Sequence, residues 1–355
     1  MRSLVIEKAA VKQNISRIKV RAGSAAIYGV LSCDAGGAGL LPMAQLLLDA
    51  GITRFAVSEV SEAQALRKAG YVEEEILMLR PTTDREELEQ LVDLNVVCTV
   101  SSVDTGLALN ALAERRATVV EAHIQVDTGL GFGGFLGSEP EKILLAYRSL
   151  PNVALSGVYT QIQTGSAGNR AAMDQLDQFE SVLRAIHAAG FETGVVHAAG
   201  SFALMHYDFA LLDGVRAGSA LLGRGRRTRG DGLKTVGWGE APLTEVRWLP
   251  KGHTIGVERP VVLRRPTRVA VLPVGYRHGF GVDRPRESGF WAAWRRWKRE
   301  KKRFVRVGGQ KARVLGGIGA TETVLDITSL RCSARDTAVF DIDPLYAKGF
   351  RLEYR

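Results

Sequence analysis

From residue 26 to about 218, short aliphatic and β-branched runs alternate with stretches whose apolar positions return every three or four residues. The runs at 26–32, 54–59, 76–80, 96–101, 119–127, 153–162, 193–199 and 211–216 predict strands buried on both faces. The stretches at 40–50, 61–69, 84–93, 103–115, 139–148 and 171–189 predict amphipathic helices between them. Eight such units in series point to a (β/α)8 TIM-like barrel rather than a doubly wound open sheet. Past Gly230 the helical period fades, and 243–250, 253–264, 267–275, 304–315, 322–328, 337–342 and 350–354 read as strands. The expected division is a barrel domain over 1–232 and a β-rich C-terminal domain over 233–355, with Gly308-Gly309 as a hairpin turn.

One segment breaks the β pattern. At about 288–303 a basic, tryptophan-rich run places Trp291, Trp294 and Trp297 three apart, an apolar stripe if the run is helical. Residues 291–313 hold ten Lys/Arg and a single acid, Glu300, while the rest of the chain carries 37 basic and 37 acidic residues. The net charge of +9 therefore belongs to one segment, and no nucleic-acid partner is expected for the protein as a whole. The run reads as a helical insert docked on the β-domain, with a membrane surface or an acidic partner as alternatives. Apolar residues make up 46% of the chain, no run approaches a membrane span, and Met1–Glu7 lacks a signal peptide's apolar core. Cys33, Cys98 and Cys332 show neither disulfide nor zinc spacing, so a cytoplasmic setting is expected.

The candidate chemistry starts at Ile27-Tyr28-Gly29-Val30-Leu31-Ser32, the end of the first barrel strand, where barrels place reactive groups. Later landmarks are Val126-Asp127-Thr128-Gly129-Leu130-Gly131, Gly157-Val158-Tyr159-Thr160, Val196-His197-Ala198-Ala199 and Val215-Arg216-Ala217-Gly218. Pro273-Val274-Gly275-Tyr276, Gly316-Gly317-Ile318 and the terminal Glu353-Tyr354 complete the series. In this order the set resembles the alanine racemases, pyridoxal-phosphate (PLP) enzymes of fold type III. The resemblance runs essentially end to end.

That family needs a lysine at the end of the first strand, which forms a Schiff base with PLP and serves as one of two bases. Ser32 stands there, so the resemblance implies a degenerate member with no covalent cofactor, non-covalent PLP remaining open. Other positions around the cofactor differ too. Gly36 replaces a phosphate-contacting tyrosine, Gln125 a lysine carbamylated in some members, Phe132 an arginine, Gln161 a histidine over the ring, and Gly200 an asparagine. The family's Gly-Arg-Ile-x-Met-Asp reads Gly316-Gly317-Ile318-Gly319-Ala320-Thr321, so Gly317, Ala320 and Thr321 stand for arginine, methionine and aspartate. Retained positions are Arg216, which the resemblance sets against the pyridine nitrogen, the phosphate contacts Ser201, Ser219 and Tyr354, and Tyr276, the second base.

The resemblance implies a head-to-tail homodimer, or a heterodimer with a related racemase. Three readings follow. The first is a pseudoenzyme without PLP-dependent racemisation. The second is a binding module for a small phosphorylated or anionic ligand. The third is a partner subunit that completes the site of an active racemase in trans. A further alternative is an alanine or amino-acid racemase with altered or cofactor-free chemistry; the cofactor-free form would need two opposed thiols, and only Cys33 lies near the expected mouth. Among the histidines, none of which has metal-ligand spacing, His197 is the best functional candidate.

Overall fold

The computed structural model describes residues 1–163, 168–225, 231–256, 260–282 and 303–355. These form two compact units, Ala9–Thr235 and Met1–Lys8 with Val236–Arg355.

The first unit is the barrel. Its eight strands are Ala26–Val30, Arg54–Val57, Glu75–Met78, Cys98–Val100, Val120–Asp127, Val153–Tyr159, Val195–Ala199 and Gly214–Ala217. All neighbours pair in parallel, with Ala26–Val30 between Arg54–Val57 and Gly214–Ala217. A single bridge from Leu77 to Val97 joins the two remaining edges, with Met78 N donating to Val97 O and Val97 N to Ile76 O, each at 2.9 Å. Every expected barrel strand is present, its ends within a few residues of those expected. The helices Leu40–Asp49, Val60–Lys68, Arg85–Asp93, Val103–Arg115, Pro140–Ser149 and Gly168–Ala188 follow the expected segments. Some of their starts are fixed by side chains, as where the Asp84 carboxylate accepts Glu87 N at 2.9 Å and where Glu59 and Glu62 form a capping box.

A helix not expected from the sequence, Lys8–Ala22, buries Val11, Ile15 and Ile18. Within it Asn14 is fully buried. Its Nδ2 donates to Leu221 O (2.9 Å) and Lys234 O (2.8 Å), and its Oδ1 accepts Lys234 N (2.7 Å).

The second unit is a nine-stranded sheet in the order Glu245–Leu249, Thr267–Leu272, Thr323–Asp326, Gln310–Ile318, Phe304–Val307, Thr337–Asp341, Trp238–Pro242, Ser3–Ile6, Arg351–Tyr354. All pairs are antiparallel except the last. Here the sequence-based division needs correction. Residues 1–8 belong with the β-rich unit, because Leu4, Val5 and Ile6 are buried in a strand held between Trp238–Glu240 and Arg351–Tyr354. Within the expected strand at 253–264 the described residues hold an antiparallel pair, Thr254–Ile255 with Val261–Val262, and Trp238–Pro242 is a strand that was not expected. The Gly308-Gly309 hairpin is present. The insert at about 288–303 lies outside the described residues, apart from Arg303.

Candidate functional site

Inside the barrel a buried arginine is held without a carboxylate. Arg216 is 4% exposed. Its Nη1 donates to His197 Nδ1 (2.6 Å) and His197 O (3.3 Å), and its Nη2 to Thr160 O (2.6 Å) and Gln161 Oε1 (2.7 Å). All four Nη hydrogens are thus spent inside the barrel, while among the described residues no acceptor meets Nε–H. The guanidinium lies 5.0 Å from the Tyr159 ring centroid. Burial lowers its pKa to about 10, which leaves it charged at neutral pH.

That charge fixes the histidine protons. Arg216 can only donate, so His197 Nδ1 must accept and His197 carries its proton on Nε2. This proton meets His123 Nδ1 at 3.0 Å, so His123 is also protonated on Nε2. Both rings are neutral: burial, then the Arg216 charge, lowers the His123 pKa to about 4 and holds His197 well below the ordinary range. His197 is stacked between Tyr28 (5.1 Å) and Tyr159 (5.0 Å). Tyr28 donates to Glu75 Oε1 (2.8 Å), and burial followed by the Glu75 charge raises its pKa. The residue expected to be the best functional histidine is therefore part of a packed column. His123 completes it, a pairing that the sequence does not signal because a histidine on a core strand carries no local mark of its partner.

At the C-terminal ends of the strands the replaced positions cluster. Ser32 Oγ lies 2.7 Å from Ser58 Oγ, so its neighbour is another hydroxyl and not a base. From Cys33 to Gly36 the backbone makes a left-handed turn, with φ between 54° and 65° at four successive residues, three of them carrying side chains. Left-handed geometry costs about 1–2 kcal/mol per residue with a side chain. The turn is pinned by Ala35 N to Leu31 O (2.7 Å), Gly39 N to Asp34 O (2.9 Å) and Leu40 N to Asp34 Oδ1 (2.6 Å).

Gln161 and Gly200 are brought together. A Cβ at position 200 would lie 2.6 Å from Gln161 Nε2, so the glycine makes room for the amide that Arg216 holds. Gln125 and Phe132 are not joined. Phe132 is 83% exposed on the 129–134 loop, whose amides at Gly129, Leu130 and Gly131 are gathered by the Asp127 carboxylate. Gln125 Oε1 is buried with no hydrogen-bond donor. Ser201 Oγ accepts Gly218 N (3.0 Å) and Ala220 N (3.2 Å), and Ser219 is half-buried between them.

The second unit holds the other expected positions. Tyr276 is 50% exposed on a one-turn helix, with Tyr276 N donating to Gly319 O (2.9 Å) and Arg277 N to Ala320 O (3.0 Å). Gly317, Ala320 and Thr321 are exposed in this same region, and Tyr354 is half-buried on the last strand. Among the described residues no lysine stands on a barrel strand, and no group of three His, Cys, Asp or Glu could hold a metal.

The family model for the N-terminal domain of alanine racemase matches residues 6–225, and that for the C-terminal domain matches residues 238–342. This chain belongs to the alanine racemase family. An alanine racemase of Carboxydothermus hydrogenoformans is 31% identical over 275 residues, which cover 76% of this chain and 74% of that protein. One from Clostridium novyi is 29% identical over 324 residues, covering 90% and 79%. Among solved structures, the alanine racemase of the D-cycloserine producer Streptomyces lavendulae superposes with a TM-score of 0.86 at 23% identity, covering 100% of this chain and 97% of its own. The Bartonella henselae alanine racemase, solved with covalently bound pyridoxal phosphate, gives 0.82 at 21% identity, covering 100% and 99%. The closed barrel and the β-rich unit are thus the family's fold.

Proposed function

We propose that this chain is a non-racemising member of its family and that its barrel mouth holds a small anionic or phosphorylated ligand without a covalent bond. The observation that carries the first half is the Ser32–Ser58 pair at the end of the first barrel strand. The residues present do not fit covalently held PLP: an imine needs a primary amine, Ser32 offers a hydroxyl, and the described barrel strands carry no lysine. No reaction step is assigned to that group. The Arg216–Gln161 bond and the exposed Phe132 support the same reading, because one replaced side chain is tied up by the retained arginine and the other is turned to solvent.

The second half is supported by the buried, donor-less Oε1 of Gln125 on the strand Val120–Asp127, and by the Nε–H of Arg216, which meets no acceptor among the described residues. Ser201 and the Gly218 and Ala220 amides already satisfy one another, so an anion there competes with Ser201 Oγ and binds modestly. To test the first half, the protein is mixed with PLP, reduced with borohydride and weighed intact; no pyridoxyl mass should be added and D- and L-alanine should not interconvert. Racemisation abolished by Ser32→Ala would refute the reading. For the second half, inorganic phosphate or PLP should raise the melting temperature of the wild type; absence of any shift counts against ligand binding.

A second reading has one observation in its favour. Tyr276 is half-exposed at a turn tip tied to 319–320, as a residue serving another chain's site would be. Native mass spectrometry of a mixture with an intact alanine racemase tests it, heterodimers being the supporting result and homodimers alone the opposing one.

A further inference from the structure

The strands Phe304–Val307 and Gln310–Ile318 form a hairpin in which Val305, Val307 and Ala312 are buried while Phe304, Arg306, Lys311 and Arg313 face outward. Arg306 lies directly opposite Lys311, and Phe304 opposite Arg313. Like charges facing each other across a strand pair destabilise it. None of the three cations has an ion-pair partner among the described residues. The Lys311 ammonium sits 4.4 Å, and the Arg306 guanidinium 5.9 Å, from the centroid of the Phe304 ring, which is 42% exposed. The fold thus sets Arg306 against Lys311 beside an exposed phenyl; Asp326 lies opposite Arg313 on the neighbouring strand, but among the described residues no acid forms an ion pair with Arg306, Lys311 or Arg313.

We propose that this hairpin face docks on an anionic lipid membrane surface. Three cations in one small patch complement a negatively charged leaflet, and an apolar ring ringed by long cationic side chains suits the boundary between headgroups and acyl chains. The sequence just ahead of the hairpin has the same composition: Phe290, Trp291, Trp294 and Trp297 with seven Lys/Arg in 295–303. Tryptophan interleaved with cations favours the membrane interface over nucleic acid, because the indole settles at headgroup level. No helix among the described residues is long and apolar enough to cross a membrane, so the association is peripheral.

The test is co-sedimentation of the full chain with vesicles of phosphatidylcholine alone or mixed with phosphatidylglycerol. The protein should pellet with the anionic vesicles only, and less so as salt rises. The triple variant Arg306→Gln/Lys311→Gln/Arg313→Gln should weaken partitioning on the order of a hundredfold, and Lys311→Gln alone about fivefold. Lys251→Gln, on an exposed turn elsewhere, should leave it unchanged. Melting temperatures equal to wild type certify folding, and the single variant keeps the test valid should the triple not fold. Equal binding to neutral vesicles, no vesicle binding, no response to the hairpin substitutions, or capture by duplex DNA in preference to vesicles would each overturn the proposal.

Discussion

Gly200→Ala is the smallest change that should reach Arg216 without touching it. The backbone of Gly200 is ordinary, with φ −83° and ψ −178°, so an added methyl brings no conformational strain. It would, however, lie 2.6 Å from Gln161 Nε2 and 3.3 Å from Gln161 Oε1, the atom that receives the 2.7 Å bond from Arg216. Gln161 has to leave. A hydrogen bond to a charged group contributes about 1.5–3 kcal/mol. Replacing glycine by alanine returns roughly 0.4–1 kcal/mol by restricting the unfolded chain. The net expectation is a loss of about 1–2 kcal/mol in urea unfolding followed by circular dichroism. The decisive measurement is the cycle with Gln161→Ala. In that background the clash and the bond are both gone, so Gly200→Ala should be neutral or stabilising by about 0.5 kcal/mol. An equal cost in both backgrounds would refute the claim that the two positions compensate one another.

Asn14→Leu should cost on the order of 3–5 kcal/mol in the same assay, because it strands one N–H and two carbonyls in a fully buried position. Ser32→Lys should restore no measurable alanine racemisation, since Gln161 and Phe132 remain; recovered activity would show that the lysine alone was missing. Stability should also fall with acidity. His123 takes up its proton near pH 6.5 when unfolded but only near 4 when folded, so between these values the unfolded chain binds more protons. The associated loss is about 1.4 kcal/mol per pH unit for this group, complete below pH 4 and absent above 6.5. His197, shifted in the same direction, adds to it. Urea unfolding at pH 7, 6 and 5 measures the slope, and a flat profile would contradict neutral buried imidazoles.

The barrel strands were legible because a parallel strand is covered on both faces, so each reads as an unbroken apolar run such as Phe55-Ala56-Val57 or Ile76-Leu77-Met78. The placement of Ser3–Ile6 was not, because its partners lie near residues 239 and 352 and local patterning carries no pairing information. The turn at 33–36 was illegible for a different reason: Cys33, Asp34 and Ala35 disfavour positive φ, and what keeps them there is a set of backbone hydrogen bonds, with Glu62 Oε1 accepting Asp34 N, that no residue pattern encodes. At the site, resemblance supplied the positions, and the strand count supplied the end of the barrel at which to find them. Their pairing, Gln161 with Gly200 and Arg216, depends on distances across three strands that no spacing encodes.

Retention of Arg216 by itself says little about a ligand. Its removal would orphan the carbonyl of Thr160, take the donor from His197 Nδ1 and unsettle the imidazole column, so packing alone explains why it persists. Gln125 separates the two explanations. A buried acceptor with no donor is a standing cost of about 1–3 kcal/mol, and an empty, purely structural barrel has no use for it. Gln125→Met keeps the length of the side chain and removes the orphan oxygen, so it should raise the stability of the free protein by about 1 kcal/mol or more. If a ligand donates to that oxygen, the same variant should lose part of the thermal shift that ligand gives the wild type. A variant that is more stable and less responsive to ligand is the signature of a position kept for binding. One that is destabilised would show that Gln125 is already satisfied in solution, and the case for a ligand at the barrel mouth would then rest on Arg216 Nε–H alone.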